Sequence, residues 1–220
     1  MLSQTPTALD LADRDGHPRL LDLADLLRVA RDLHPVALLR EGDASELRPL
    51  ERAMQASRAW VAEQVAGAGK GSAVYGINTG FGALAGRDRL SGEVAARRLM
   101  RNLVTSHAAG AGPDLPEEVV RAALLIRARQ LAGGLSGVRI AVVNRLLGLL
   151  NRRLLPRVPS MGSLGASGDL APLAHIALSM SGPPEGAQTT DASPASVDLW
   201  VRSGLPAAGA VMRADRHQPA

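Results

Sequence analysis

The chain has 220 residues, 46% of them hydrophobic and 21% charged, with a formal net charge of +4. That length supports one sizeable core, and the absence of cysteine excludes disulfides, thiolate nucleophiles and cysteine-based zinc sites. The positive balance does not point to nucleic acid, because Lys70 is the only lysine, the arginines are scattered, and Trp60, Tyr75, Phe81 and Trp200 are too few aromatics for a base-stacking surface.

No apolar run reaches the roughly 18 residues of a membrane-spanning helix. Met1 to Asp15 carries acidic residues and no continuous apolar stretch, so no secretory signal is expected, and a cytoplasmic chain that engages neither membrane nor nucleic acid is. The histidines (His17, His34, His107, His175, His217) include no pair at i, i+4, and no metal site is expected.

The periodicity predicts a mainly α chain. Leu23, Leu26, Leu27 and Ala30 recur at helical spacing up to a break at His34-Pro35. A second helix is predicted over about 46–66, with Leu50, Met54, Ser57, Val61 and Val65 on one side. Gly67 to Gly86 is glycine-rich and reads as a loop. Ser91 suits the N-cap of a helix running through Thr105. Asp114 and Pro116 suit the first turn of the next helix, which carries Val119, Val120, Ala123, Leu124 and Ile126 before Gly133, Gly134 and Gly137 interrupt it.

Ser136 is expected to open a long apolar helix with Ile140, Val143, Leu147, Leu150 and Leu154, stopped at Pro156. A helix this apolar on several sides belongs in a bundle interior or a subunit interface. Pro159 to Gly168 forms a second glycine-rich loop, and Asp169 suits the N-cap of a helix over Leu170 to Met180, with Pro172 in the tolerated first turn. Beyond Gly182 the periodicity ends, and 183–220 reads as a disordered tail rich in Pro, Ala, Ser and Thr. No internal repeat is visible.

Three segments carry candidate chemistry. Gly67-Ala68-Gly69-Lys70-Gly71-Ser72 fails as a phosphate loop: Gln64 stands where the first glycine belongs, and Gly71 replaces the Ser or Thr after lysine. Tyr75-Gly76-Ile77-Asn78-Thr79-Gly80-Phe81-Gly82 places the only tyrosine and the only phenylalanine in one glycine-rich loop. By itself that pattern reads as a turn, although flanking glycines also allow a phenol to be presented to a cavity. Met161 to His175, containing Gly165-Ala166-Ser167-Gly168-Asp169-Leu170-Ala171-Pro172, reads alone as a loop followed by a capped helix.

The two glycine-rich loops occur in a set order, with Thr105-Ser106-His107-Ala108-Ala109-Gly110 between them. Taken together they closely resemble the histidine and aromatic amino-acid ammonia-lyase family. The resemblance extends from about Leu20 to Met180 and is near-verbatim at Tyr75–Gly82 and Gly165–His175. It implies the N-terminal, cofactor-bearing domain of the ammonia-lyase (fumarase/aspartase-like) fold over 1–182, with the central helical bundle truncated and 183–220 non-homologous.

In that family an Ala-Ser-Gly triplet cyclises with loss of two waters to 4-methylidene-imidazol-5-one, so Ala166, Ser167 and Gly168 are the expected cofactor-forming and catalytic residues. An amide nitrogen is a poor nucleophile, and the fold must supply proximity. Glycine at the attacking position removes side-chain obstruction, and Gly162 and Gly165 suit unusual dihedrals. The N-terminus of the helix after Asp169 offers partial positive charge to an anion developing beside it, with Asp169 itself as cap.

The implied reaction eliminates ammonia from an α-amino acid to give an arylacrylate, with the cofactor turning the amine into a better leaving group. The β-hydrogen is weakly acidic and needs a positioned base; the resemblance assigns Tyr75. A free tyrosine titrates near 10, so the site must favour its phenolate. His107 alone reads as a buried structural histidine; the resemblance makes it a substrate contact. Ser106-His107 is similar to the histidine-specific version of the motif, whose product is urocanate, where phenylalanine- and tyrosine-specific relatives carry a bulky or aromatic residue followed by leucine. Asn78 and His175 receive supporting roles.

Family members are normally more than twice this length and form homotetramers whose sites draw on several subunits. A truncated or frameshifted gene is therefore the expectation, with the chain alone inactive. The alternatives are a tyrosine or phenylalanine ammonia-lyase or aminomutase, and a catalytically silent fragment.

Overall fold

The computed structural model describes residues 7–66, 75, 93–162, 168–180 and 212–214. In chain order the helices are α1 (Leu23–Ala30), α2 (Pro49–Ala66), α3 (Glu93–His107), α4 (Glu117–Leu131), α5 (Ile140–Asn151) and α6 (Leu170–Met180). Four short strands complete them: β1 (Ala111–Asp114), β2 (Leu154–Pro156), β3 (Pro159–Met161) and β4 (Met212–Ala214). The mainly α reading holds. The residues 67–74 and 76–92, which include the rejected phosphate-loop stretch and Asn78, lie outside the described residues, as do 163–167.

The core centres on α5. Ile140, Val143, Leu146, Leu147, Leu149 and Leu150 are all buried, a wide arc that needs apolar neighbours on several sides. It finds them in α4, α2 and β2. From α4 come Val120, Leu124, Leu125, Ala128 and Leu131, while Val119 and Ile126 on the same helix face outward. The second helix contributes Leu50 and Met54.

The N-terminal segment is held to this core through side chains acting as backbone partners. Asn144 accepts the Leu39 N–H at 2.8 Å and donates to the Leu39 carbonyl at 3.0 Å. Two turns later Asn151 repeats the pattern on Val36, at 2.9 and 2.7 Å. The primary amide mimics a neighbouring strand. Val36 is also bracketed by the backbone of Leu9, which donates to the Pro35 carbonyl and accepts from the Ala37 N–H, both at 2.8 Å.

Both ends of α1 are satisfied by side chains. Asp22 and Asp25 form a reciprocal capping box at its N-terminus, and Arg19 donates to the buried Asp25 carboxylate at 2.6 Å. At the C-terminus the buried Arg121 of α4 donates to the Val29 carbonyl at 2.8 Å and reaches the Ala30 carbonyl at 3.2 Å. These carbonyls have no intrahelical donor, so the guanidinium supplies what the helix end lacks.

Several boundaries differ from the sequence expectation: α2 starts at Pro49, α3 runs on to His107, and Asp114 ends β1 while α4 starts at Glu117 with Pro116 at its N-cap. The fifth helix begins at Ile140, with Arg139 at its N-cap, and not at Ser136. Gly137 is left-handed (φ +63°) and donates its N–H to the Ser57 hydroxyl of α2 at 2.9 Å, and a Cβ there would run into the Val61 side chain. That long-range fit defers the helix start. The same helix ends at Asn151 because Arg153 turns left-handed (φ +56°) and the chain becomes β2. Its antiparallel partner β4 pairs Leu154 with Ala214 and Pro156 with Met212. Those three residues fall inside the stretch read as a tail, whose remaining residues lie outside the described ones.

Replacing Asn144 by leucine strands the Leu39 N–H and carbonyl beside a buried side chain. A loss of about 1–3 kcal/mol is expected, read as a lower urea midpoint with an unchanged slope.

Candidate functional site

The candidate site forms where α3 ends and α6 begins, two helices packed against each other. His107 is the last residue of α3. Its Nδ1 lies 2.7 Å from the Leu103 carbonyl, and the Ser106 hydroxyl donates to that same oxygen at 3.0 Å. A carbonyl only accepts, so Nδ1 carries the proton, and in the neutral ring Nε2 keeps its lone pair. The helix end has thus fixed the tautomer of the residue that the motif singles out.

From His107 the chain runs through Ala108 and Ala109 to Gly110 and then into β1. This strand pairs antiparallel with β3, matching Ala111 with Met161 and Asp114 with Pro159. Three steps along β1 meet two along β3, a bulge that absorbs the left-handed Gly112 (φ +79°). Arg157 donates to the Asp114 carboxylate at 2.9 Å, and Leu115 donates to the Val158 carbonyl at 2.8 Å. The pairing lays the 107–110 segment beside Gly162, the last described residue before 163–167.

Gly162 and Gly110 touch backbone to backbone. A Cβ on Gly162 (φ +123°) would stand 2.9 Å from the Gly110 Cα, and one on Gly110 would stand 2.9 Å from the Pro159 Cβ. On the far side of 163–167, Gly168 is exposed and left-handed (φ +68°), and a Cβ there would meet nothing within 4 Å among the described residues. The left-handed backbone at 168 is one that glycine adopts without strain. Asp169 follows at the N-cap position, its carbonyl accepting the Leu173 N–H at 3.0 Å.

Sequence reasoning undervalued His175. It lies on the inner face of α6 with Ala171, Ala174 and Leu178, and only 8% of it is exposed. Its Nε2 accepts the Gly110 N–H at 3.1 Å. Burial pushes its pKa below the ordinary imidazole range, against the opposing pull of Asp114. The helical phase 171, 174, 175, 178 was the available signal that this ring points inward.

Of the remaining sequence candidates, Tyr75 is an exposed turn residue whose flanking residues lie outside the described ones, and Ala166 and Ser167 lie outside them as well. No group of three or more His, Asp or Glu among the described residues is placed to hold a metal ion. No helix among the described residues is long and apolar enough to cross a membrane. A groove of about 470 Å³ between α2 and the start of α5, lined by Met54, Arg58, Val138 and Arg139, includes none of the candidate residues.

The family model for aromatic amino acid lyases matches residues 21–214. The chain belongs to the aromatic amino acid lyase family. The matched span runs past residue 182 and includes β4. Histidine ammonia-lyase of Sorangium cellulosum is 47% identical over 188 residues, which is 85% of this chain and 34% of that relative. The Geobacillus thermodenitrificans histidine ammonia-lyase is 44% identical over 191 residues, 87% of this chain and 35% of the relative. The chain thus spans about a third of the length of the curated relatives it matches.

Among solved structures, Trypanosoma cruzi histidine ammonia-lyase aligns with a TM-score of 0.61 at 27% identity, covering 90% of this chain and 34% of its own. Tyrosine aminomutase from Streptomyces globisporus aligns with a TM-score of 0.64 at 28% identity, covering 91% and 34%. These likenesses place the chain in the ammonia-lyase and aminomutase fold, in the class that depends on methylidene-imidazolone.

The two glycines flanking 163–167 should respond differently to alanine. Gly168→Ala meets no atom within 4 Å among the described residues and carries the left-handed penalty of about 1–2 kcal/mol. Gly162→Ala adds a backbone collision and should lower the thermal midpoint further, a ranking that calorimetry of the two variants decides.

Proposed function

We propose that this chain forms the cofactor-bearing part of a cytoplasmic, homotetrameric enzyme that eliminates ammonia from L-histidine to give urocanate. The observation that carries the reading is Ser106 and His107 closing α3 three residues before Gly110, which abuts Gly162 at the near side of 163–167. Identity of 44–52% to several histidine ammonia-lyases supports histidine as substrate. The aminomutase structures share the fold, so the choice of substrate rests on the Ser106-His107 pair.

The residues present suit the cofactor. The Gly168 amide nitrogen attacks the Ala166 carbonyl carbon, closing a five-membered ring. The carbonyl oxygen leaves as one water, and the Ser167 hydroxyl leaves with its α-hydrogen as a second, giving 4-methylidene-imidazol-5-one. Gly168 brings to this the left-handed backbone that few other residues adopt. When present, the group supplies an electrophile for the substrate amine.

The rest is the work of the chain's own side chains and backbone. The N-terminus of α6 begins one residue after the triplet, and the partial positive charge of a helix N-terminus favours negative charge there. His107 offers Nε2 as an acceptor to a donor on the substrate imidazole, a polar match that an apolar wall does not provide. Tyr75 takes the β-proton.

The intact mass of the 220-residue chain should fall short of its encoded value by two waters, and Ser167→Ala should restore the encoded mass. A wild-type chain of full encoded mass would remove the cofactor from this reading. In a full-length enzyme built on this segment, Tyr75→Phe should leave the mass deficit intact while turnover drops by roughly 10²–10⁴-fold. Near-normal urocanate formation by that variant would reduce Tyr75 to a loop residue.

A further inference from the structure

We propose that His175 is a positioning residue: through its ring Nε2 it holds the Gly110 backbone and fixes both flanks of the 163–167 segment at one point. The inference rests on the cofactor reading for its consequence but not for its geometry.

Gly110 is a three-way junction. Its Cα lies against Gly162 and its α-carbon face against Pro159, so the β3 side of the segment is seated on it. Its N–H is donated to His175 Nε2 at 3.1 Å, which seats the α6 side. His107 stands three residues upstream on the same stretch. The junction has no room for a side chain, since a Cβ on Gly110 would come within 3.0 Å of His175 Nε2. Gly162, just before the segment that includes Ala166 and Ser167, and His175, on the helix that follows it, are therefore both referred to Gly110.

The ring is suited to this task in one protonation state. A backbone N–H only donates, so Nε2 is the bare nitrogen and the ring proton sits on Nδ1. Burial of the ring disfavours the imidazolium, and the nearby Asp114 carboxylate that would favour it is engaged by Arg157. A protonated ring would point N–H at N–H and release Gly110.

The consequence concerns ring closure between Gly168 and Ala166. That step depends on bringing a weak nucleophile to a carbonyl, which a segment with both ends fixed achieves at lower entropic cost than one with a free end. His175 touches neither reacting atom, and its effect passes through Gly110.

Two substitutions separate the acceptor from the bulk of the ring. His175→Leu fills the buried space without an acceptor, and His175→Gln returns a carbonyl oxygen at similar reach. In the full 220-residue chain, intact mass followed over time after synthesis should show loss of the two waters slowed at least tenfold in the leucine variant. The glutamine variant should return to within a few-fold of wild type, even where the two unfold at the same temperature. The Gly110 amide proton, followed by hydrogen exchange, should be protected in wild type and the glutamine variant and exchange at least tenfold faster in the leucine variant.

Equal dehydration in all three chains, or a leucine variant rescued no better by glutamine, overturns the positioning role. A wild-type chain of full encoded mass overturns the cofactor reading instead. In that event Gly110 exchange decides for His175, and equal protection in all three chains overturns it.

Discussion

The candidate site depends on a short antiparallel contact, the pairing of Ala111–Asp114 with Pro159–Met161. It joins parts of the chain nearly fifty residues apart and is closed on one side by the Arg157–Asp114 ion pair. Strands this short contribute little by themselves. Their register matters because it converts the end of α3 into a neighbour of the loop before α6. The bulge at Gly112 is the local means by which two strands of unequal step meet at Gly110 and Gly162 without a side chain between them.

Behind that contact stands the apolar body around α5. Hydrophobic burial draws α4, α2 and β2 to it without specifying their register, since the effect is non-directional. Register comes from polar groups at the margin. Asn144 and Asn151 grip the backbone at Leu39 and Val36 at matching intervals, and Arg48 links the fully buried Glu51 to Asp10 across the N-terminal segment. Glu51 is the fully buried one, and a buried carboxylate is expensive unless its acceptors are met, so it tolerates few alternative arrangements.

The helices were legible in the sequence where their signals are local. The first helix follows from its leucine spacing and the sixth from Asp169 and Pro172, and both fall on the expected residues. The start of α5 was misplaced because Ser136 is a good local cap, whereas Gly137 answers to Ser57 and Val61 of another helix. The strands carry three or four residues each, too few for a period of two to register. Of the candidate site, the resemblance singles out the motif residues, but the tautomer of His107 depends on a carbonyl within its own helix, and the bond of His175 on Gly110, 65 residues away. A contact between distant segments leaves no periodic trace.

The guanidinium of Arg121 ties the behaviour of α1 to that of α4. Helix ends usually fray first, opening and closing independently of the protein they belong to. The last turn of α1 has its carbonyls bound to a cation that is only 2% exposed, anchored in a helix whose neighbours line the core. For α1 to lift away, that charge must give up three bonds at Val29 and Ala30 while still shielded from water. An opening of that kind costs far more than melting one turn of helix. The two helices therefore open as one cooperative unit, and an eight-residue helix near the chain's beginning shares the lifetime of the core.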